Sequence, residues 1–150
     1  MRGALACAAC LACGGQPGTL SPPPVVGIAG TYAGTLHSVG YLYDLPDQQV
    51  SRSELSSARS YDLTAAGANA LTLRGTLGAG DCTVPLTLQA DGTLAFAEDA
   101  SCSTSDSSGS FVHGVAGSWD SAGNLSFTVI SAQGILTGAY YYETFTGHKL

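Results

Sequence analysis

Apolar and polar residues alternate along most of this chain from Val25 onward, and the repeat is two residues. Between Thr83 and Gln89, for example, Val, Leu and Leu occupy every second position, and threonine or proline fills the positions between them. Successive side chains of a β-strand point to opposite faces of the sheet, so a period of two indicates strands with one buried face. The same pattern recurs at 28–36, 71–77 and 125–129.

Turn-forming residues separate these apolar runs, at 65–69, 90–92 and 120–124, and each group is short enough for a hairpin connection. Only the Ser-rich segment 48–59 indicates a helical turn, and the indication is weak. We therefore predict an all-β fold of eight antiparallel strands joined mostly by hairpins. Because the strands are apolar and carry few charges, we expect them to close into an up-and-down β-barrel that leaves no open edge. The first strand, around 30–36, should then pair with the last, around 136–147.

Two cysteines within the predicted barrel test the strand register independently. Residues 89–93 fit a three-residue hairpin loop with Gly92 in the left-handed conformation. That register pairs Leu88 with Leu94, Leu86 with Phe96, and Cys82 with Ala100. Cys102 then lies one diagonal step from Cys82 on the same face, close enough to bridge with a small bulge. We predict a Cys82–Cys102 disulfide, and two free buried thiols are the alternative.

The first residues have the layout of an export signal. A positively charged start, a short stretch of Ala, Leu and Cys, and small residues before a break are typical of a signal peptide. Leu11-Ala12-Cys13-Gly14-Gly15 resembles the lipobox of bacterial lipoproteins, which implies lipidation of Cys13. Ala also precedes Cys7 and Cys10, so either of these is an alternative site. We divide the chain into a signal peptide with a lipobox-like end (1–13), a flexible Gly/Pro-rich linker (14–25) and a barrel domain (26–150).

Two other interpretations of this segment stay open. Cys7, Cys10 and Cys13 have C-x-x-C-x-x-C spacing, which in a cytosolic protein suggests a zinc or iron–sulfur site. No fourth ligand is near, and only Ala and Leu separate the cysteines, so we favour the lipid tether. A buried Ala-rich helix is the second alternative.

Composition and charge narrow the classes of partner. The net charge is −6 with only five Lys and Arg residues, whereas nucleic-acid binding needs clustered cations. The same deficit argues against adsorption to anionic lipid, and no apolar run approaches the roughly 18 residues of a membrane-spanning helix. Glycine is abundant and charged residues are scarce, at 11%. This composition favours an exported β-protein. The lipobox resemblance implies a location in the cell envelope, lipid-anchored at the outer membrane or cell surface, and secretion is the alternative.

Glycine-and-turn motifs carry a family resemblance across residues 27–149. The chain has Gly30-Thr31-Tyr32-Ala33-Gly34-Thr35-Leu36 at the start of the domain and Thr144-Phe145-Thr146-Gly147-His148-Lys149 at its end, with Asp91-Gly92-Thr93-Leu94 and Gly123-Asn124-Leu125-Ser126-Phe127-Thr128 between them. In these motifs the chain resembles the bacterial calycin-like or lipocalin-like envelope proteins, which implies an eight-stranded up-and-down barrel. It departs from typical lipocalins at their Gly-x-Trp signature, where Tyr32 takes the place of Trp.

Candidate catalytic and metal-binding groups form no recognisable pattern, so we expect a non-enzymatic protein without cofactor or metal. No Gly-x-Ser-x-Gly elbow stands between a strand and a helix, and the three histidines lack a metal-binding spacing. His37 and His148 would approach each other if the terminal strands pair, but no third ligand is evident. Glu98, Asp99 and Asp106 flank Cys102, and a solvated acidic loop is favoured over a calcium site.

Aromatic residues are the strongest functional indication. Tyr140 to Tyr142 stand in series, so both faces of the last strand carry rings. We expect the inward-facing set to be Tyr32, Phe111, Trp119, Phe127 and Tyr141. Such rings line an apolar-ligand pocket or fill an ordinary barrel core, and the many glycines favour the filled core.

Two functions follow from these observations. The first is an envelope-anchored lipoprotein that holds a small apolar ligand in the barrel or at its mouth. The second is a solid barrel whose outer Tyr, Thr and Ser surface meets another envelope component. The sequence leaves the oligomeric state open.

Overall fold

The computed structural model describes residues 25–44, 49–78, 80–96, 100–103, 110–133 and 138–150. Residues 1–24 lie outside this part, so the signal peptide, the lipidation of Cys13 and nearly all of the 14–25 linker stay predictions. The acidic residues Glu98, Asp99 and Asp106 also lie outside it. No helix in the described ranges is long and apolar enough to cross a membrane.

The described chain is almost entirely antiparallel β-structure, as predicted. Its elements are α1 (Val25–Ile28), β1 (Gly30–Asp44), β2 (Gln49–Ala65), β3 (Ala70–Leu77), β4 (Gly80–Leu88), β5 (Leu94–Phe96), β6 (Ala100–Ser103), β7 (Ser110–Trp119), β8 (Asn124–Gln133) and β9 (Ala139–Lys149). The strand order is β3-β2-β1-β9-β8-β7-β6-β4-β5, and β3 also pairs with β4, so the sheet is a nearly closed barrel. Because β5 and β6 follow one another along β4, they form one barrel strand in two segments, and the barrel has eight strands.

The terminal strands close the barrel where the sequence predicts. β1 pairs with β9 from Tyr32 opposite Lys149 to Leu42 opposite Ala139. The two backbones approach most closely at Gly34 and Gly147, which face each other in this ladder. A Cβ on Gly34 would collide with the Thr146 carbonyl oxygen, so this crossing requires glycine.

One end of the barrel, here called the closed end, carries the turns at 66–69, 89–93 and 120–123. The helical turn α1 covers the closed end. Two hydrogen bonds attach it there: the Tyr32 hydroxyl donates to the Ile28 carbonyl at 2.6 Å, and Lys149 Nζ donates to the Gly27 carbonyl at 2.9 Å. Ile28 is therefore part of a helical turn and not of the strand that its sequence period suggested. The opposite end, where β1 ends and β2 begins, is called the mouth.

The β4–β5 register agrees with the prediction near the turn and differs beyond it. Leu88 lies opposite Leu94 and Leu86 opposite Phe96, and Gly92 has a φ of 87°. Cys82, however, lies opposite Cys102 and not opposite Ala100, so the pairing shifts by two residues between β5 and β6. The shift makes the bridge direct: Cys82 and Cys102 form a disulfide with their Cα atoms 4.2 Å apart.

The helical turn suggested by the sequence for segment 48–59 is wrong for its described residues. Residues from Gln49 onward belong to β2, which pairs with β1 along an unbroken ladder down to Leu63 opposite Gly30. Serine has no strong strand preference, so the extended neighbour β1 and not local propensity decides this conformation.

A bulge in β7 reverses the face that its side chains present. The pairing with β8 shifts between Gly114 and Ala116, which leaves Val115 unpaired. Phe96 packs against this bulge, and its side chain lies where a Cβ on Gly114 or Gly117 would be. Because one extra residue switches the alternation, Phe111 and Trp119 point to opposite faces although eight positions separate them.

Candidate interaction surface

Aromatic side chains fill the interior of the barrel. The Tyr61 ring packs edge-on against Phe127 and Phe145, with centroids 5.0 and 4.8 Å away, and Phe127 stacks on Phe145 at 5.2 Å. All three rings are buried, and Phe96 packs on them from β5. The aliphatic core surrounds this group, and it comprises Ile28, Leu36, Leu63, Leu71, Leu73, Leu77, Val84, Leu86, Leu88, Leu94, Val112, Leu125 and Val129.

Four of the five predicted inward-facing rings lie on the inner side of the barrel. Tyr32 and Phe127 are fully buried in the core, and Trp119 is half-buried and packs against it. Tyr141 is half-buried near the mouth, where its ring approaches Gly40. The prediction that Phe111 faces inward is wrong. Because of the β7 bulge, Phe111 lies on the outer face and is 52% exposed.

The sequence reasoning missed Tyr61 and Phe145 as members of the ring cluster. Phe145 belongs to the predicted last strand, and its odd position matches the buried alternation of β9. Tyr61 directly follows the Ser-rich segment, so its burial had no clear signal before β2 was placed.

Glu143 carries a carboxyl group that is buried in the described interior of the barrel. It is 2% exposed, and its Oε2 accepts hydrogen bonds from the Gly78 backbone N–H at 2.7 Å and from the buried Ser131 hydroxyl at 3.1 Å. Burial raises the pKa of Glu143, while these two donors and the charge of Arg59 oppose that rise. The contact with Gly78 fixes the β3–β4 turn against β9. Glu143 therefore has a structural role that its sequence position did not reveal.

The two histidines that pairing of the terminal strands could bring together do not meet. β1 and β9 pair as expected, but His148 lies opposite Ala33 while His37 lies opposite Thr144, four positions further along β1. At roughly 3.3 Å per residue the two imidazoles are about 13 Å apart along the strand. In the described ranges, no three His, Cys, Asp or Glu side chains are placed to hold a metal ion.

The outer surface near the mouth carries a cluster of aromatic rings, here called the aromatic face, of which all but the half-buried Tyr41 are exposed. It consists of Tyr41 and Tyr43 of β1, Tyr140 and Tyr142 of β9, and Phe111 of β7. The ladders bring these strands together: Tyr41 lies opposite Tyr140, and both Phe111 and Tyr140 lie opposite Ala132 of β8. Tyr41 and Tyr142 contact edge-to-face with centroids 6.0 Å apart.

These rings are unusually accessible for large apolar side chains. Phe111, Tyr140 and Tyr142 are 52%, 52% and 49% exposed, and the neighbouring Val50 of β2 is 61% exposed. Scattered apolar residues are common on protein surfaces, but contiguous exposed patches mark interaction sites. Tyrosine is also enriched among the residues that dominate binding energies.

A chain of polar groups borders the aromatic face on the β2 side. Arg52 lies opposite Tyr41 in the β1–β2 ladder, and its guanidinium is 2.7 Å from Glu54, which also bonds His37 at 2.8 Å. The His37 hydrogen bond, followed by that from Arg52, lowers the pKa of Glu54. The face therefore has the apolar centre and polar rim found in protein interfaces.

The fold defines the class of this protein as a small, eight-stranded antiparallel β-barrel. No family model matches the sequence, and no curated protein matches it. Among solved structures, the chain is similar to the ywiB protein from Bacillus subtilis, with a TM-score of 0.33 and 11% identity. The match covers 79% of this chain and 94% of that one, and its TM-score is too low to indicate a shared fold.

Proposed function

We propose that this protein is a non-enzymatic interaction module of the cell envelope, which binds another macromolecule through its aromatic face. The observation that carries the proposal is the exposure of four aromatic rings, those of Tyr43, Phe111, Tyr140 and Tyr142, on the outer surface at one end of the barrel. Removing these rings from water on binding supplies a non-directional driving force, and the Arg52–Glu54–His37 rim supplies orientation.

Two further observations support the envelope and the solid barrel. The core rings contact one another, so the centre of the barrel is occupied by its own side chains. The Cys82–Cys102 disulfide suits an oxidising compartment. Lipidation at Cys13 would hold the module at a membrane, with segment 14–25 as the spacer, in keeping with the resemblance to calycin-like envelope lipoproteins.

Site-specific photo-crosslinking tests this function. A benzophenone side chain at position 140 should yield adducts in the cells that make the protein. The matched control is position 146, which lies on the same strand and the same outer face, about 20 Å away at roughly 3.3 Å per residue. Adducts at 140 and none at 146 are expected. Equal labelling at both positions, or none at 140, would contradict the proposal.

A second candidate function is the binding of a small apolar ligand at the mouth. The supporting observation is that Leu42 and Leu55, on the inner side of β1 and β2, are 47% and 65% exposed. In this function Tyr141 contacts the ligand, while Tyr32, Trp119 and Phe127 support the site from the core. Native mass spectrometry of protein purified from its own envelope should then reveal a carried molecule, and a bare mass would count against this candidate.

A further inference from the structure

Strand β2 is paired along one edge only for most of its length. Its ladder with β1 is continuous from Asp44–Gln49 to Gly30–Leu63, but its ladder with β3 covers only Asp62 to Ala65. Within the part of the chain that the structure describes, no strand pairs with the second edge of β2 from Gln49 to Tyr61. This edge is called the free edge.

The free edge exists because β2 extends well beyond the end of β3, and because β3 turns away from β2 before that end. The Tyr61 ring occupies the place where a Cβ on Gly75 would be, and the Tyr61 hydroxyl donates to the Thr76 carbonyl at 2.9 Å. Two residues later, the Gly78 N–H binds the buried Glu143 carboxyl. These contacts hold the β3–β4 turn toward β9, so β3 cannot extend its ladder along β2 without breaking them. An open groove of about 540 Å³ lies beside Ala58, Arg59 and Ser60.

The backbone groups on the free edge belong to the even-numbered residues of β2. In the β2–β3 hairpin the N–H of the even-numbered Ala66 donates to the Ala70 carbonyl oxygen at 2.8 Å, and the Ser60 carbonyl oxygen lies 3.3 Å from the Cβ position of Gly75 on β3. Because these groups alternate sides along a strand, the N–H and C=O groups of 50, 52, 54, 56 and 58 point away from β1.

This edge lacks the devices that normally prevent strand pairing. Proteins protect long edges with proline, bulges or many charges. The segment from Gln49 to Tyr61 contains no proline, its ladder with β1 has no register shift, and its charges are Arg52, Glu54 and Arg59. Leu55 stands at the middle of the segment and is 65% exposed.

We propose that the free edge pairs with the free edge of a second copy of this chain, antiparallel, with Leu55 on the two-fold axis. In this register the whole edge is used, and Leu55 of each copy meets Leu55 of the other. Arg52 then faces Ala58, and Glu54 faces Ser56, so no like charges stand opposite. Centring the pair on Arg52 or Glu54 would oppose identical charges, which is unfavourable.

The register uses the free backbone groups efficiently. Each even-numbered residue forms a narrow pair that exchanges two hydrogen bonds, which gives roughly a dozen bonds across the two-fold axis. Leu55 falls at a wide-ring position, where the two side chains are closest, with Cα atoms about 4.5 Å apart. The C₂ symmetry makes the contact self-limiting, because each chain has one free edge of this kind in its described part.

Cysteine crosslinking tests the pairing and its register together. In the full chain with Cys7, Cys10 and Cys13 changed to Ser, Leu55→Cys should form a covalent dimer under mild oxidation. The matched control is Ser51→Cys, which is exposed on the same strand but would lie about 26 Å from its own copy, at roughly 3.3 Å per residue. A dimer with Leu55→Cys alone supports the proposal. No dimer with Leu55→Cys, or equal dimer with Ser51→Cys, overturns it.

A second variant removes the backbone bonds without touching the β1 ladder. The Ser56 N–H points to the free edge, so Ser56→Pro should convert a dimer to a folded monomer in sedimentation equilibrium, whereas Ser56→Ala should stay a dimer. A monomeric wild type at every concentration would refute the proposal. Both tests use the purified protein alone, so their failure is distinct from failure of the aromatic-face function, which needs another macromolecule.

Discussion

The Cys82–Cys102 disulfide provides a stabilisation that can be worked out from the segment it closes. The two cysteines are 20 residues apart, and both are buried beside the aliphatic core. On the chain-entropy model, closing this loop lowers the entropy of the unfolded state by about 11 cal/mol/K, or about 3.3 kcal/mol at 25 °C. Since small domains have about 5–15 kcal/mol of stability, reduction should remove a large share of it. For a domain of this length, the expected fall in Tm is roughly 12 °C.

Urea unfolding followed by the fluorescence of Trp119, the single tryptophan, measures this effect. Oxidised wild type should unfold at a higher urea concentration than reduced wild type, which keeps both sulfur atoms. Cys82→Ala/Cys102→Ala should resemble the reduced protein and show no response to reductant. An unchanged midpoint on reduction of wild type would refute the reasoning, as would thiol labelling of both cysteines in the unfolded, non-reduced protein.

Three other predictions concern the buried carboxyl, the β1–β9 crossing and the tether. Because burial raises the pKa of Glu143, the native state holds this proton more tightly than the unfolded state. The stabilisation by protonated Glu143 is full below the pKa of this group in the unfolded state, and it is lost as pH rises through its pKa in the folded state. It amounts to about 1.4 kcal/mol for each unit by which the two pKa values differ. Glu143→Gln should therefore flatten the dependence of unfolding free energy on pH above about 4, and an unchanged profile would count against a raised pKa. In chemical denaturation, Gly34→Ala should lower stability by at least about 3 kcal/mol or prevent folding. The control Gly27→Ala, whose Cβ meets nothing within 4 Å, should change stability by less than about 1 kcal/mol. Equal effects would show that β1 and β9 do not approach so closely. A fatty-acid analogue should label wild type and not Cys13→Ser, and a label that persists would move the tether to another cysteine.

Local signals explain why the turns of the closed end could be predicted. In the 89–93 loop, the Asp91 carboxylate accepts the Thr93 N–H at 2.9 Å, and in the next hairpin Asp120 accepts the Asn124 N–H at 2.9 Å. The bond from the Thr93 N–H lowers the pKa of Asp91, and the hydrogen bond from the Asn124 side-chain amide, followed by that from its N–H, lowers the pKa of Asp120. Residues that make them lie two to four positions apart, so the sequence contains the whole interaction.

The candidate surface was only partly predictable, since its residues come from distant strands. The series Tyr140 to Tyr142 indicates rings on both faces of β9, and the structure agrees. Phe111 joins the aromatic face only because of the β7 bulge. Gly114 and Gly117 were a usable signal for that bulge, since glycine inside a strand often marks one.

By itself, the sequence determined the two-residue period, the hairpin turns, the closure of β1 on β9 and the pairing of Cys82 with Cys102. Each of these follows from short-range patterns or from the requirement that a sheet of apolar strands leave few open edges. Only the tertiary structure decided where β3 leaves β2 and which side chains face outward. Those features depend on contacts between residues far apart in the chain, such as the bond from Gly78 to Glu143 across 65 positions. A pattern that repeats every two residues cannot encode which distant ring or carboxyl group will occupy the space beside a given strand.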